Sequence, residues 1–134
     1  MQPIPTLLAL LICDQVIVDA VTGKKNIIGV FDKVMSLQFP VQQQLSVYMR
    51  LSGAEGNYDL KMRFVDLKDE SVQVELQIGV AIPGQLDVAD FGTSFPIPLN
   101  APGHYELQIL ANDIYLGRAR LRAEIFTPPE RNAS

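Results

Sequence analysis

The stretch that decides the fold runs Leu99-Asn-Ala-Pro-Gly-His-Tyr-Glu-Leu-Gln-Ile-Leu-Ala-Asn-Asp-Ile-Tyr-Leu-Gly-Arg-Ala-Arg-Leu-Arg-Ala-Glu-Ile125. It reads as a Pro102-Gly103 corner, a strand led by Tyr105, a two-residue turn at Asn112-Asp113 and a returning strand. With that turn, Ile109 faces Leu116. Beyond Gly117 the inward set changes from even positions (Ile114, Leu116) to odd ones (Ala119, Leu121, Ala123, Ile125). One extra residue is needed to absorb the change, which predicts a β-bulge at Gly117-Arg118. The bulged register places Arg120 opposite Glu106 and Arg122 opposite His104. The alternating Arg118, Arg120 and Arg122 then read as a solvated face of cross-strand pairs, each worth only ~0.2–1 kcal/mol. The competing reading is an anion-binding stripe extended by Lys61, Arg63 or Arg50.

Upstream, the pattern is period two. Leu45, Val47, Met49 and Leu51 alternate with Ser46, Tyr48, Arg50 and Ser52; Tyr58, Leu60, Met62 and Phe64 alternate with Asp59, Lys61 and Arg63. Val72, Val74, Leu76, Ile78, Val80 and Ile82 form a third inward row. Alternation over successive segments split by turn clusters predicts an antiparallel meander with one solvated face. Pro83 to Gly92 has no pattern. Phe91 to Leu99 carries Pro96 and Pro98, whose missing donors suit an edge strand. At the other end, Thr6 to Val18 is nearly continuous apolar sequence broken at Asp14-Gln15. It reads as a strand buried on both faces or one changing face there, although Leu7 to Cys13 alone also suits a helix. Asp19 to Lys25 is turn chemistry around Gly23, and Asn26 to Phe31 returns. The whole is an all-β, immunoglobulin-like antiparallel sandwich of about 7–9 strands over residues 1–126, followed by a flexible polar tail at 127–134.

Two segments resemble known proteins. Leu99-x-x-Pro102-Gly103-x-Tyr105 resembles the corner of immunoglobulin-like and fibronectin-type sandwiches, where a tyrosine opening a late strand bonds back onto the preceding turn. The resemblance implies that the Tyr105 phenol oxygen locks the Pro102-Gly103 corner. Cys13-Asp14-Gln-Val-Ile-Val-Asp19, Thr22-Gly23-Lys24, Ile28-Gly29-Val30-Phe31-Asp32 and Phe39-Pro40 are similar to a group of small, uncharacterised bacterial single-domain proteins. That likeness spans nearly the whole chain and brings no activity or catalytic residues with it.

Composition narrows the function classes. A chain of 134 residues with 48% hydrophobic and 19% charged residues is long enough to bury its own core. A net charge of −4 with interspersed signs argues against nucleic acid as a partner, whose binding rests on phosphate neutralisation. No apolar run reaches membrane-spanning length, and Leu7 to Cys13 lacks the basic flank and small residue of an export signal, so the expected compartment is the cytoplasm. Cys13, the single cysteine, reads as a buried inert thiol rather than a nucleophile.

Candidate chemistry is sparse. The single histidine, His104, lies beside Tyr105 with no nucleophile elbow or phosphate-cradling loop in the chain. Asp87 and Asp90 share one loop and Asp113 sits in a turn, which is the raw material for a loop-end calcium or small-anion site, but no Asp-x-Asp or EF-hand spacing occurs. Tyr48 is the one aromatic on the outward face of the meander, beside Arg50, and both residue types are enriched at interface hot spots. The expectation is therefore a non-enzymatic interaction or structural module without cofactor or metal, binding an unknown protein partner or a second copy. Its candidate surface is Tyr48, Arg50, Asp87 and Asp90, while Tyr105, Pro102, Gly103 and Gly117 serve the fold. The alternatives are a loop-end calcium or anion site, and an unrecognised hydrolase.

Overall fold

A computed structural model describes residues 2–129. The chain forms nine strands: β1 (Thr6–Val18), β2 (Lys25–Val30), β3 (Lys33–Ser36), β4 (Val41–Ser52), β5 (Gly56–Asp66), β6 (Ser71–Ile82), β7 (Val88–Leu99), β8 (Gly103–Ala111) and β9 (Ile114–Ile125). They make a four-stranded sheet ordered β2-β1-β4-β7 and a five-stranded sheet ordered β3-β9-β8-β5-β6. Within the tail expected at 127–134, residues 130–134 lie outside the described residues. The two sheets face each other as an immunoglobulin-like sandwich. It is antiparallel everywhere except at β3 and β9, which run parallel from Lys33↔Arg122 to Ser36↔Ile125. The parallel pair departs from the all-antiparallel expectation because the chain crosses from one sheet to the other after β2 and lands beside the last strand.

The core follows from the period-two rows. Leu45, Met49 and Leu51 of β4 meet Leu60 and Phe64 of β5 and Leu107 and Ile109 of β8, all with 0% exposure. Tyr105 stacks on Phe64 with ring centroids 5.3 Å apart, and its hydroxyl donates to the Ala101 carbonyl at 2.6 Å. Gly103 takes a φ of 151°, so the Pro102-Gly103 corner and the tyrosine bond together fix how the chain enters β8.

The register departs from sequence expectation at two strands. In the closing hairpin Ile109 pairs with Gly117 and Leu110 with Tyr115, so the extra residue is Leu116, not Gly117-Arg118. Gly117 thereby takes an inward position opposite Ile109. A Cβ there would lie 2.7 Å from Leu7 Cδ2, and it is this leucine of β1 that fills the space the glycine leaves. The shift still sets Arg120 opposite Glu106 and Arg122 opposite His104. On β6, Phe64 pairs with Val74 but Val65 with Val72, leaving Gln73 as a bulge. The slip turns Val72 off the inward row, and it is 49% exposed beside Val65 on the outer face.

Candidate functional site

The outward row of β4 is covered where sequence alternation leaves it solvated. β1 pairs with β4 from Thr6 to Cys13, then continues from Cys13 to Val18 against β2. The pairing with β4 ends at Cys13, just before the Asp14-Gln15 step. The β1–β2 hairpin is closed by a turn in which Asp19 Oδ1 accepts the amides of Val21 and Thr22 at 2.8 Å, with Gly23 at a φ of 72°. Its inner side, Val16 and Lys25, reaches across to β7. A Cβ at Gly92 would lie 2.7 Å from the Cβ of Val16, so the missing side chain is what lets the hairpin settle there.

Beneath this hairpin lies a polar cluster. Tyr48 is 8% exposed and donates its hydroxyl to Asp90 Oδ2 at 2.8 Å. Lys25 Nζ donates to Asp90 Oδ1 at 2.6 Å. Arg50, exposed, is the cross-strand partner of Asp90. Burial alone would raise the Asp90 carboxyl, but the Lys25 and Tyr48 bonds outweigh it and hold the pKa below the usual carboxylate range, helped by the Arg50 charge. Burial pushes the Tyr48 phenol up, and its bond to Asp90 adds to that. A phenol held protonated and a carboxylate held ionised, with one partner on each carboxylate oxygen, make a clamp between hairpin and sheet. Nearby, Ser46 Oγ donates to the Asp14 carbonyl at 3.1 Å and lies 2.7 Å from Ser94 Oγ, a second tie at the same crossing.

The four candidate surface residues thus separate. Tyr48 and Asp90 are bonded, with Arg50 beside them. Asp87 stands apart in the β6–β7 loop, where its amide donates to the Gly84 carbonyl and its carbonyl accepts from Ser52 Oγ at 3.1 Å. The residue that sequence reasoning missed is Lys25, taken there as turn chemistry. Asp113 pairs with Lys61 at 2.6 Å in the five-stranded sheet, whereas Asp90 lies on β7 of the four-stranded one. Among the described residues no three His, Cys, Asp or Glu side chains gather to hold a metal ion. Cys13 is buried, donates to the Ser46 carbonyl at 3.6 Å, and has a pKa raised by burial.

The arginine stripe also differs from a simple solvated face. The Glu106 side chain is 6% exposed under Arg120 at 3.5 Å and Arg118 at 3.7 Å, and accepts from Gln108 at 3.0 Å. Arg122 turns to Glu124 at 2.7 Å. Each arginine of the stripe thus has a carboxylate of the protein within reach, with Arg118 and Arg120 sharing Glu106, and Arg63 has Glu75 at 3.5 Å.

The sandwich is open on one flank. Between β6 and β7, the edge strands of the two sheets, runs a groove of about 600 Å³ lined by Ile78, Val80, Ala89, Phe91 and Thr93 with the β6–β7 backbones. The four sheet edges are not alike. β3 is four residues long, β2 is six residues long with Lys25 and a left-handed Gly29, and β7 carries Pro96 and Pro98. β6 is twelve residues long without Lys or Pro, and its bulge lies near its start.

No helix among the described residues is long and apolar enough to cross a membrane. Among solved structures, the alkylpurine DNA glycosylase AlkC of Pseudomonas fluorescens, bound to DNA containing an abasic site analog, is similar in fold. It has a TM-score of 0.56 at 10% identity over 89% of this chain, which spans 30% of the length of that enzyme. An immunoglobulin-like protein from Pseudomonas aeruginosa aligns with a TM-score of 0.49 at 13% identity, covering 92% of this chain and 98% of that one. No curated protein matches the chain in sequence. Residues 8–124 match the family of unknown function DUF6941. That match takes in all but the ends of the sandwich, and the chain belongs to this family.

Proposed function

We propose that the protein is a non-enzymatic interaction module and that its binding element is the β6 edge with the groove beside it. One observation carries this reading: β6 is the long edge that has neither Lys nor Pro and keeps its one bulge near its start. Proteins blunt exposed edges with short strands, lysines, prolines or bulges, because a row of free N–H and C=O groups recruits another strand. β2, β3 and β7 each show one or more of these, whereas β6 offers nine residues from Val74 to Ile82 beyond its bulge. A strand added there gains main-chain hydrogen bonds and can send alternate apolar side chains towards Ile78, Val80 and Phe91. The Tyr48–Asp90–Lys25 cluster supports the module by pinning the hairpin.

The test is purification from native lysate of the unaltered chain beside Gly79→Lys. Gly79 lies on β6 with open space around a Cβ, so the lysine is accommodated without strain. We expect the unaltered chain to retain a stoichiometric companion, another polypeptide or a second copy, and Gly79→Lys to lose it. A companion retained equally by both, or a monomer without any companion, overturns the reading.

A further inference from the structure

The β6 edge is self-complementary. Beyond the bulge at Gln73 the straight part of the strand is Val74-Glu-Leu-Gln-Ile-Gly-Val-Ala-Ile82, and its midpoint is Ile78. Laid antiparallel against itself about that midpoint, Val74 opposes Ile82, Leu76 opposes Val80, and Ile78 opposes Ile78, so each pair on the inner row is apolar. On the outer row the long side chains Glu75 and Gln77 oppose the small Ala81 and Gly79. Side chains directly opposite each other in an antiparallel ladder interact most strongly, and like charges there are unfavourable. The one acidic residue of this stretch, Glu75, is held by Arg63 of the neighbouring strand at 3.5 Å and faces alanine across the axis. A register about Glu75 sets two carboxylates against each other. A one-residue slip in the pairing sum sets the apolar row against the polar one.

Resting on the reading of β6 as the binding edge, we infer that its occupant is a second copy of this chain. The two β6 strands pair antiparallel about a two-fold axis at Ile78 and join two five-stranded sheets into one of ten. Nine residues at ~3.4 Å each give a contact about 30 Å long, and with sheets ~10 Å apart plus their side chains the pair buries about 1,000 Å² in total. That area is at the low end for a specific complex, so the association is concentration-dependent rather than permanent.

Charge-swapped pairs of substitutions test this. Gln77→Lys/Gly79→Lys places lysines opposite each other across the axis, and Gln77→Glu/Gly79→Glu does the same with carboxylates. Both positions point outward; Gln77→Lys faces Lys61 and Gly79→Glu faces Asp59 on β5, one like-charge neighbour in each chain, a penalty too small to unfold the monomer. By sedimentation over a wide concentration range, we expect the mass of the unaltered chain to rise towards twice that of the monomer. Each doubly substituted chain stays monomeric, and their equimolar mixture recovers the rise, which folded chains alone can do. An unaltered chain that remains monomeric throughout, substituted chains that associate as it does, or a mixture that gains nothing overturns the inference. If the unaltered chain is monomeric while Gly79→Lys still loses a companion from lysate, self-pairing falls and the binding edge stands.

Discussion

Replacing Lys25 by Met tests whether the polar cluster fastens the β1–β2 hairpin. The methionine keeps the apolar stem and removes the ammonium. Lys25 Nζ and Asp90 Oδ1 are 2.6 Å apart, with side chains 21% and 23% exposed. At that separation the gross attraction is about 6 kcal/mol at an effective dielectric constant of ~20, most of it offset by desolvation of the two charges. Loss of one partner costs ~3–5 kcal/mol in a fully buried pair and ~0.2–1 kcal/mol in an exposed one. At this degree of burial we expect about 2 kcal/mol, or a fall in Tm of roughly 6–10 °C for a domain of this size. Lys25→Met/Asp90→Asn should recover much of it, since no unpaired carboxylate is left. The pH dependence has a fixed sign. The Asp90 pKa is lowered in the folded protein, so its contribution is fully present above the unfolded value of ~3.9 and is lost as pH falls through the folded value. The difference between the unaltered chain and Lys25→Met therefore shrinks in acid. Denaturant unfolding gives the energies, and hydrogen exchange at Val16 to Val18 reports the hairpin directly. A loss below about 0.5 kcal/mol at neutral pH, or an equal loss in an Asp90→Asn background, refutes the clamp.

Tyr105→Phe keeps the stack on Phe64 but loses the bond to Ala101, and should cost about 1–1.5 kcal/mol with an unchanged m value; no shift in the denaturant midpoint would leave the corner without its lock. Gly92→Ala should cost ~1–3 kcal/mol because its Cβ meets the β-branched Cβ of Val16, which moves only with its strand. Gly117→Ala meets the tip of Leu7, which can swing aside, so thermal melts should rank it milder, and the reverse order would contradict the packing described. Cys13, buried with its thiol pKa raised, should resist alkylation in the native protein and react on unfolding, as mass spectrometry can follow.

Much of the fold is legible because it rests on local rules. Alternation marks β4 and β5 at Leu45 to Leu51 and Tyr58 to Phe64, and the Pro102-Gly103-x-Tyr105 spacing marks the corner. What escapes is decided by contacts between distant segments. Tyr48 reads as outward and is outward, but its cover comes from a hairpin some thirty residues earlier in the chain, and only the bare Gly92 hints that something rests there. Gly117 reads as the site of a bulge because the inward row changes parity just beyond it, whereas Gly117 itself lies inward against Leu7 and the extra residue falls on Leu116. Val72 fits the alternation of its strand perfectly and is displaced by the slip at Gln73, which no periodicity announces. The binding edge could be sought in the sequence by asking which strand lacks Lys and Pro. That question has force only once strand order shows which strands are edges.

The parallel pairing of β3 with β9 has a mechanical consequence. Tension applied through the two ends of the chain reaches β3 at Lys33 only once β1 and β2 have let go, and it reaches β9 at Ile125, so the pull then acts at opposite ends of two strands that point the same way. The strands are then dragged past one another lengthwise, so the bonds from Lys33↔Arg122 to Ser36↔Ile125 bear load together. An antiparallel pair loaded at one end would peel open one bond at a time. A four-residue strand that adds little to the core thus holds the last strand of the five-stranded sheet against lengthwise pull after the first hairpin has opened.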